Sequence, residues 1–294
     1  MAASYGIIVA DAMQFNKSAP ANDAAPQPGR FGRFYLQELI NRGGVSEVWV
    51  ATDPGSRTYA LRRMWDNRLL NFVERKRFFH GCEILEQIHH EFIVKHIEHG
   101  KIEGTPYLLM DYVAGSNLKL LLSRGDEVLA ENVAQIVIDM AVALEQVHDS
   151  GFIHLDFKPE NILVTPNANI RLIDFDLARP KLDEPQSLPH RAGTPAYMSP
   201  ERLQHEGVDQ RADIFAVGVT IYEVLTGAKP FPGDSPDEIL RKQLSHDMAR
   251  PRDLNPDIPA SLEKVILKCL EPDMANRYPY ISVVVRDLQA ALYV

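Results

Sequence analysis

The segment His154-Leu155-Asp156-Phe157-Lys158-Pro159-Glu160-Asn161 constrains this chain more than any other, because it asks for a partner elsewhere in the fold. One loop carries an Asp, a Lys two residues on and an Asn five residues on; thirteen residues later Asp174-Phe175-Asp176 adds further carboxylates. Phosphoryl transfer to a hydroxyl needs such a set: a carboxylate for the attacking hydroxyl, a cation for the migrating group, and oxygen ligands for Mg²⁺.

The 294 residues suffice for two lobes, and a hydrophobic content of 45% supports a packed core. A net charge of −9, with no run of Lys or Arg, argues against a nucleic-acid partner. Cys82 and Cys269 lack metal-type spacing and read as reduced core residues of a cytoplasmic protein. No apolar run reaches membrane-spanning length, and the apolar stretch Tyr5–Ala10 is short for a signal peptide. Residues Lys17 to Arg30, rich in Ala, Pro, Asn and Asp, read as part of a disordered leader over 1–30. The last aliphatic helix reaches the final residue, as in a chain cut from something longer, for instance the cytosolic part of a larger protein.

From Phe34 to Met64, β-branched segments separated by turns at Asn41–Gly44 and Asp53–Ser56 predict three strands. Helical spacing of Phe72, Phe78, Cys82, Leu85 and Ile88 predicts a helix over 71–88, with strands near 93–100 and 106–113 after it. Beyond Gly115 the period changes, and helices are expected at 118–122, 130–150, 212–225, 236–244 and 261–270. A β-rich third followed by a helical remainder predicts an α+β, bilobal chain with a cleft between the lobes. The ten His residues, among them His80, His89, His90, His96 and His99, read as surface or packing imidazoles, because no Cys or carboxylate completes a zinc set at suitable spacing.

The motifs together resemble the protein kinases, most closely the bacterial Hanks-type serine/threonine branch. His154–Asn161 matches H-R-D-x-K-x-x-N with Leu155 for the Arg, and Asp174–Asp176 matches D-F-G with Asp176 for the Gly. The resemblance implies a small β-rich lobe and hinge over 31–113 and a helical lobe over 114–294. It makes Asp156 the base, Lys158 the phosphoryl contact, and Asn161 and Asp174 the metal ligands. Gly193–Glu201 resembles the end of the activation segment, Arg277 matches the partner of Glu201, and Asp213 matches the helix Asp that fixes the catalytic loop. That segment argues against a small-molecule phosphotransferase, and Thr194 with Lys158 favours the serine/threonine branch. Leu155 removes the Arg that would read a phosphorylated activation loop.

The nucleotide end departs further. Ile40-Asn41-Arg42-Gly43-Gly44-Val45-Ser46-Glu47-Val48 resembles the glycine-rich loop, with Asn41 and Ser46 at glycine positions; alone, the turn reads equally as a plain hairpin. By the resemblance, Met110 is the gatekeeper, backbone groups of Asp111 and Val113 meet adenine, and Val48, Ala60 and Leu163 sandwich the base. Arg62 stands in for the phosphate-holding Lys, a swap that is not conservative at a tight site. The helix Glu that holds that Lys corresponds to Gly81; Glu83 faces elsewhere, and Arg77, one turn earlier, would repel Arg62. The family's ion pair is therefore expected to be missing at both ends. Asp176 stays open between binding Mg²⁺ and repelling nucleotide.

These departures predict a pseudokinase that binds ATP and Mg²⁺ weakly, transfers phosphate poorly, and works as a regulatory or interaction module with a protein partner. The rival is an unusual active serine/threonine kinase that phosphorylates a protein substrate with Arg62 in place of Lys.

Overall fold

The computed structural model describes residues 26–65, 72–181, 184–187 and 192–293. Strands β1 (Gly29–Phe31), β2 (Phe34–Arg42), β3 (Ser46–Thr52) and β4 (Thr58–Met64) precede helix α1 (Phe72–Leu85), and β5 (His96–Ile102) and β6 (Thr105–Asp111) follow it. They form one antiparallel sheet in the order β1-β2-β3-β4-β6-β5. Of the expected disordered leader, residues 1–25 lie outside the described residues. Gly29 and Arg30 are already in β1, paired with Leu36 and Tyr35, because Phe31 is a core side chain that draws the preceding residues onto the sheet edge.

Alternation along β4 decides what faces the cleft. Tyr59 and Leu61 are buried with Phe34, Trp49 and Leu109 on one face, whereas Ala60 and Met64 pack with α1 and the second lobe on the other. Arg62 shares that second face. Arg63 takes the opposite one, as its position in the strand predicts, and its guanidinium meets Glu47 at 2.8 Å. Helix α1 buries Phe78, Cys82 and Leu85 at helical spacing together with Gly81 and Ile84. It ends three residues short of the expected Ile88, in a turn closed by Glu86 N–H to the Cys82 carbonyl at 2.9 Å.

The second lobe begins with β7 (Ser116–Asn117), α2 (Leu118–Arg124) and α3 (Glu127–Asp149). Asn117 caps α2, its side chain accepting from Leu120 N–H at 2.9 Å, and Asp126 caps α3 in the same way at 3.0 Å. Short strands β8 (Phe152–Ile153), β9 (Ile162–Val164), β10 (Ile170–Leu172), β11 (Arg179–Pro180) and β12 (Gln186–Ser187) bracket the two motif loops. Then come α4 (Pro200–Leu203), β13 (Gly207–Val208), α5 (Arg211–Thr226), α6 (Pro236–Leu244), α7 (Pro251–Leu254), α8 (Ala260–Cys269) and α9 (Ile281–Leu292). Helices α3, α5, α8 and α9 enclose the main core, which runs from Met64 and Phe78 in the first lobe to Leu288 in the second. Both cysteines are free and buried there. No helix among the described residues is long and apolar enough to cross a membrane.

Candidate active site

The catalytic loop is fixed from behind by a buried carboxylate. Asp213, in the first turn of α5 and 1% exposed, accepts from His154 N–H at 2.7 Å, Leu155 N–H at 2.8 Å and His148 Nε2 at 2.9 Å. Those contacts hold Leu155 at φ +63°, a left-handed backbone that a leucine adopts only under such constraint. Burial pushes the His154 imidazole below its ordinary pKa, and its ring stands edge-on to Phe175 at 4.9 Å. The two motif loops therefore meet through packed rings.

In front of this support the expected catalytic residues converge. Lys158 Nζ donates to Asp156 Oδ2 at 2.8 Å and to Thr194 Oγ1 at 3.0 Å, so Thr194 is part of the site as well as a branch marker. Asn161 Nδ2 donates to the Asp156 carbonyl at 2.9 Å and to its carboxylate at 3.0 Å, which leaves the Asn161 amide oxygen for a cation. Ile173 N–H bonds the Asn161 carbonyl at 2.9 Å and brings Asp174 alongside. Asp174 sits at φ +65°, so the left-handed residue of this loop is Asp174 rather than Asp176. Asn161 and Asp174 offer the hard oxygen donors that Mg²⁺ prefers.

The ion pair expected to be missing is present in another form. Arg62 donates from Nη1 to Asp176 Oδ1 at 2.9 Å and from Nη2 to Asp176 Oδ2 at 2.6 Å, a bidentate pair. It also reaches Asp174 Oδ1 at 3.4 Å and, through Nε, Ser46 Oγ at 2.9 Å. Ser46, read from sequence only as a lost glycine, is thus a ligand of the guanidinium. The carboxylate that α1 fails to supply comes from the residue after Phe175. Gly81 explains how: a Cβ on it would lie 2.9 Å from both the backbone N and the Cα of Asp176 and 2.8 Å from its Oδ1. Only glycine lets the Asp176 loop come this close to the helix. Arg77 adds its positive charge to the field at Asp176.

Two carboxylates now share one guanidinium. Burial would raise both, but Arg62 holds Asp174 below the usual carboxylate range. Asp176, pushed by burial and by the neighbouring Asp174 charge against the pull of Arg62, rises to about 6.

The remaining expected residues lie on the cleft-side strands and loops. Ala60 and Met110 are cross-strand partners, Val48 stands opposite Arg62, and Leu163 lies on β9. Asp111 N–H is taken by the Lys95 carbonyl at 3.1 Å; Val113 follows β6, half-buried. Ile40 and Asn41 lie just before the end of β2 with exposed side chains, and Gly43 and Gly44 form the turn, closed by Gly43 N–H to the Ser46 carbonyl at 2.8 Å. Arg202 on α4 was not anticipated. It reaches the Leu155 carbonyl through Nη1 and the Ala192 carbonyl through Nη2 at 2.5 Å. It therefore ties the catalytic loop to the stem of the activation segment.

The protein kinase domain profile matches residues 34–287, which spans both lobes and every residue of the candidate site. The chain belongs to the protein kinase domain family, Hanks type. It is 32% identical over 275 residues to a probable serine/threonine-protein kinase of Streptomyces coelicolor, covering 90% of this chain and 41% of that one. Serine/threonine-protein kinase PknD of Mycobacterium tuberculosis is 34% identical over 261 residues, 87% of this chain and 39% of its own length. PknB of Mycolicibacterium smegmatis is 31% identical over 264 residues, 87% and 42% respectively. The kinase-like domain thus spans about two fifths of the curated relatives it matches. Its curled sheet and helical lobe are those of the family.

Proposed function

We propose that this kinase-like domain binds ATP–Mg²⁺ weakly, transfers phosphate poorly if at all, and acts chiefly as a regulatory module toward a protein partner. The observation that carries this reading is the engagement of Arg62. Its guanidinium makes four hydrogen bonds to protein oxygens, on Ser46, Asp174 and both oxygens of Asp176. An arginine has five N–H donors, so little remains for a nucleotide phosphate unless these contacts open. Asp174, needed for the metal, is among the acceptors, so cation and guanidinium compete for it. ATP–Mg²⁺ is the group the family uses, and Asn161 and Asp174 would hold its metal; bound there, it would supply the transferable phosphoryl group. Asp156 would take the hydroxyl proton of the substrate, and Lys158 would meet the migrating charge.

One observation favours a second reading. Asp176 orients Arg62 with a carboxylate, as a helix Glu orients the family's Lys, and Lys158 bonds Asp156 and Thr194 while Asn161 bonds Asp156. An active kinase built on the Arg62–Asp176 pair is therefore the rival.

Thermal unfolding with ATP alone and with ATP–Mg²⁺, followed by labelled phosphate transfer on the same sample, separates the two. A small shift that needs Mg²⁺, with transfer far below ordinary kinase rates of about 1–100 per second, is expected. Any residual transfer should vanish in Asp156→Asn. Turnover within that ordinary range would overturn the proposal in favour of the active kinase, and tight metal-free binding would contradict the weak grip assigned to Arg62.

A further inference from the structure

Between the turn that ends helix α1 and strand β5, Glu86, His96 and His99 bring a carboxylate oxygen and two imidazole nitrogens within 4.8 Å of one another. His96 Nε2 and His99 Nδ1 face each other at 2.8 Å. In a regular strand, residues three apart point to opposite faces. Strand β5 is not regular. Its pairing with β6 shifts between His96 and Glu98, from Met110 to Leu109, and that bulge turns both imidazoles to one side. Glu86, in the turn that closes α1, supplies the carboxylate that sequence spacing did not reveal.

We propose that Glu86, His96 and His99 bind a first-row transition-metal cation, with Zn²⁺ as the test ion, and that the ion fastens the end of α1 to β5. Two imidazoles and a carboxylate form a donor set that zinc takes commonly, with solvent free to complete a tetrahedron at exposed Glu86. Tetrahedral zinc with bonds of about 2.0–2.1 Å sets its nitrogen ligands about 3.3 Å apart. The rings therefore need to part only slightly for a metal to replace the proton between them. The ligands come from two elements, so occupancy joins them. Phe79 of α1 also packs on His99, with ring centroids 6.3 Å apart, which keeps the helix and the strand in register for a shared ion.

The test is Zn²⁺ titration against a chromophoric chelator, on protein carrying no polyhistidine tag, with thermal unfolding alongside. Wild-type protein should bind one equivalent and unfold at a higher temperature with Zn²⁺ present. His96→Ala/His99→Ala should weaken binding at least 100-fold, since even supporting residues around a metal contribute about 10–100-fold. Glu86→Gln, at an exposed position, should weaken it about tenfold and decides the matter if the double variant does not fold. Absence of saturable binding in the wild type, or unchanged affinity in Glu86→Gln, overturns the proposal.

Discussion

Gly81→Glu is expected to destabilise the fold by roughly 2–4 kcal/mol and to yield no gain in phosphate transfer, even when combined with Arg62→Lys. Sequence alone argues the reverse. Glycine is a poor helix residue, so the change should add about 0.5–1 kcal/mol, and a Glu here would complete the family's ion pair. The structure removes both arguments. Even the Cβ of a replacement meets Asp176 backbone at 2.9 Å, and backbone cannot turn aside as a flexible side chain does. The new carboxylate would also face Asp176 and compete for Arg62. Asp176→Gly takes away the competing carboxylate and the contact with its Oδ1 but leaves the backbone atoms in place, so Arg62→Lys/Gly81→Glu/Asp176→Gly is expected to recover only part of the lost stability and to transfer phosphate no faster than wild type. Denaturant unfolding of the single variant and transfer assays of the triple one check this. A Gly81→Glu protein as stable as wild type would show that the approach of Asp176 to the helix does not matter.

Glu201→Ala should cost about 3–5 kcal/mol, lowering the unfolding temperature by roughly 10 °C. Glu201 and Arg277 form a bidentate pair at 2.9 and 2.8 Å, with side-chain exposures of 5% and 0%. The same guanidinium donates to the carbonyls of Glu271 at 2.7 Å and Pro272 at 2.9 Å, so it cannot swing out to water. Removing the carboxylate leaves a buried charge with neutral acceptors only, and that loss, more than the pair's own worth, sets the cost. Glu201→Gln keeps an oxygen in place and should fall between. A loss below about 1 kcal/mol for Glu201→Ala would mean that water or another carboxylate reaches Arg277.

Much of this was legible because the signals were local. Strand alternation put Arg62 and Arg63 on opposite faces, and the Asp156–Asn161 and Asp174 motifs fixed which loops must meet. The pairing of Glu201 with Arg277 followed from motif order. What escaped reading depended on distance in the chain. Gly81 and Asp176 are far apart in sequence, and nothing near either says that one is small so that the other can approach. Each looked like a loss, yet together they rebuild a contact. Ser46 is the same kind of case. The bulge in β5 was hidden differently, since an alternation pattern of polar and apolar residues does not disclose where pairing slips by one residue. Arg202 escaped because its partners are carbonyls, which carry no side-chain signature.

The Arg62–Asp176 pair has a consequence for control. Where the acidic partner belongs to the helix, a swing of that helix makes or breaks the charge contact, and the helix is the switch. In this chain the acid belongs to the large lobe, while α1 meets Arg62 with the face of Phe78, 5.2 Å from the guanidinium carbon to the ring centroid. An outward swing of α1 would loosen that packing and leave the charges joined. Drawing the two lobes apart along the cleft would break them. A partner that acts on this domain through the charge pair would therefore have to work as a wedge or a clasp between the lobes, and one that merely pushes the helix would leave the latch closed.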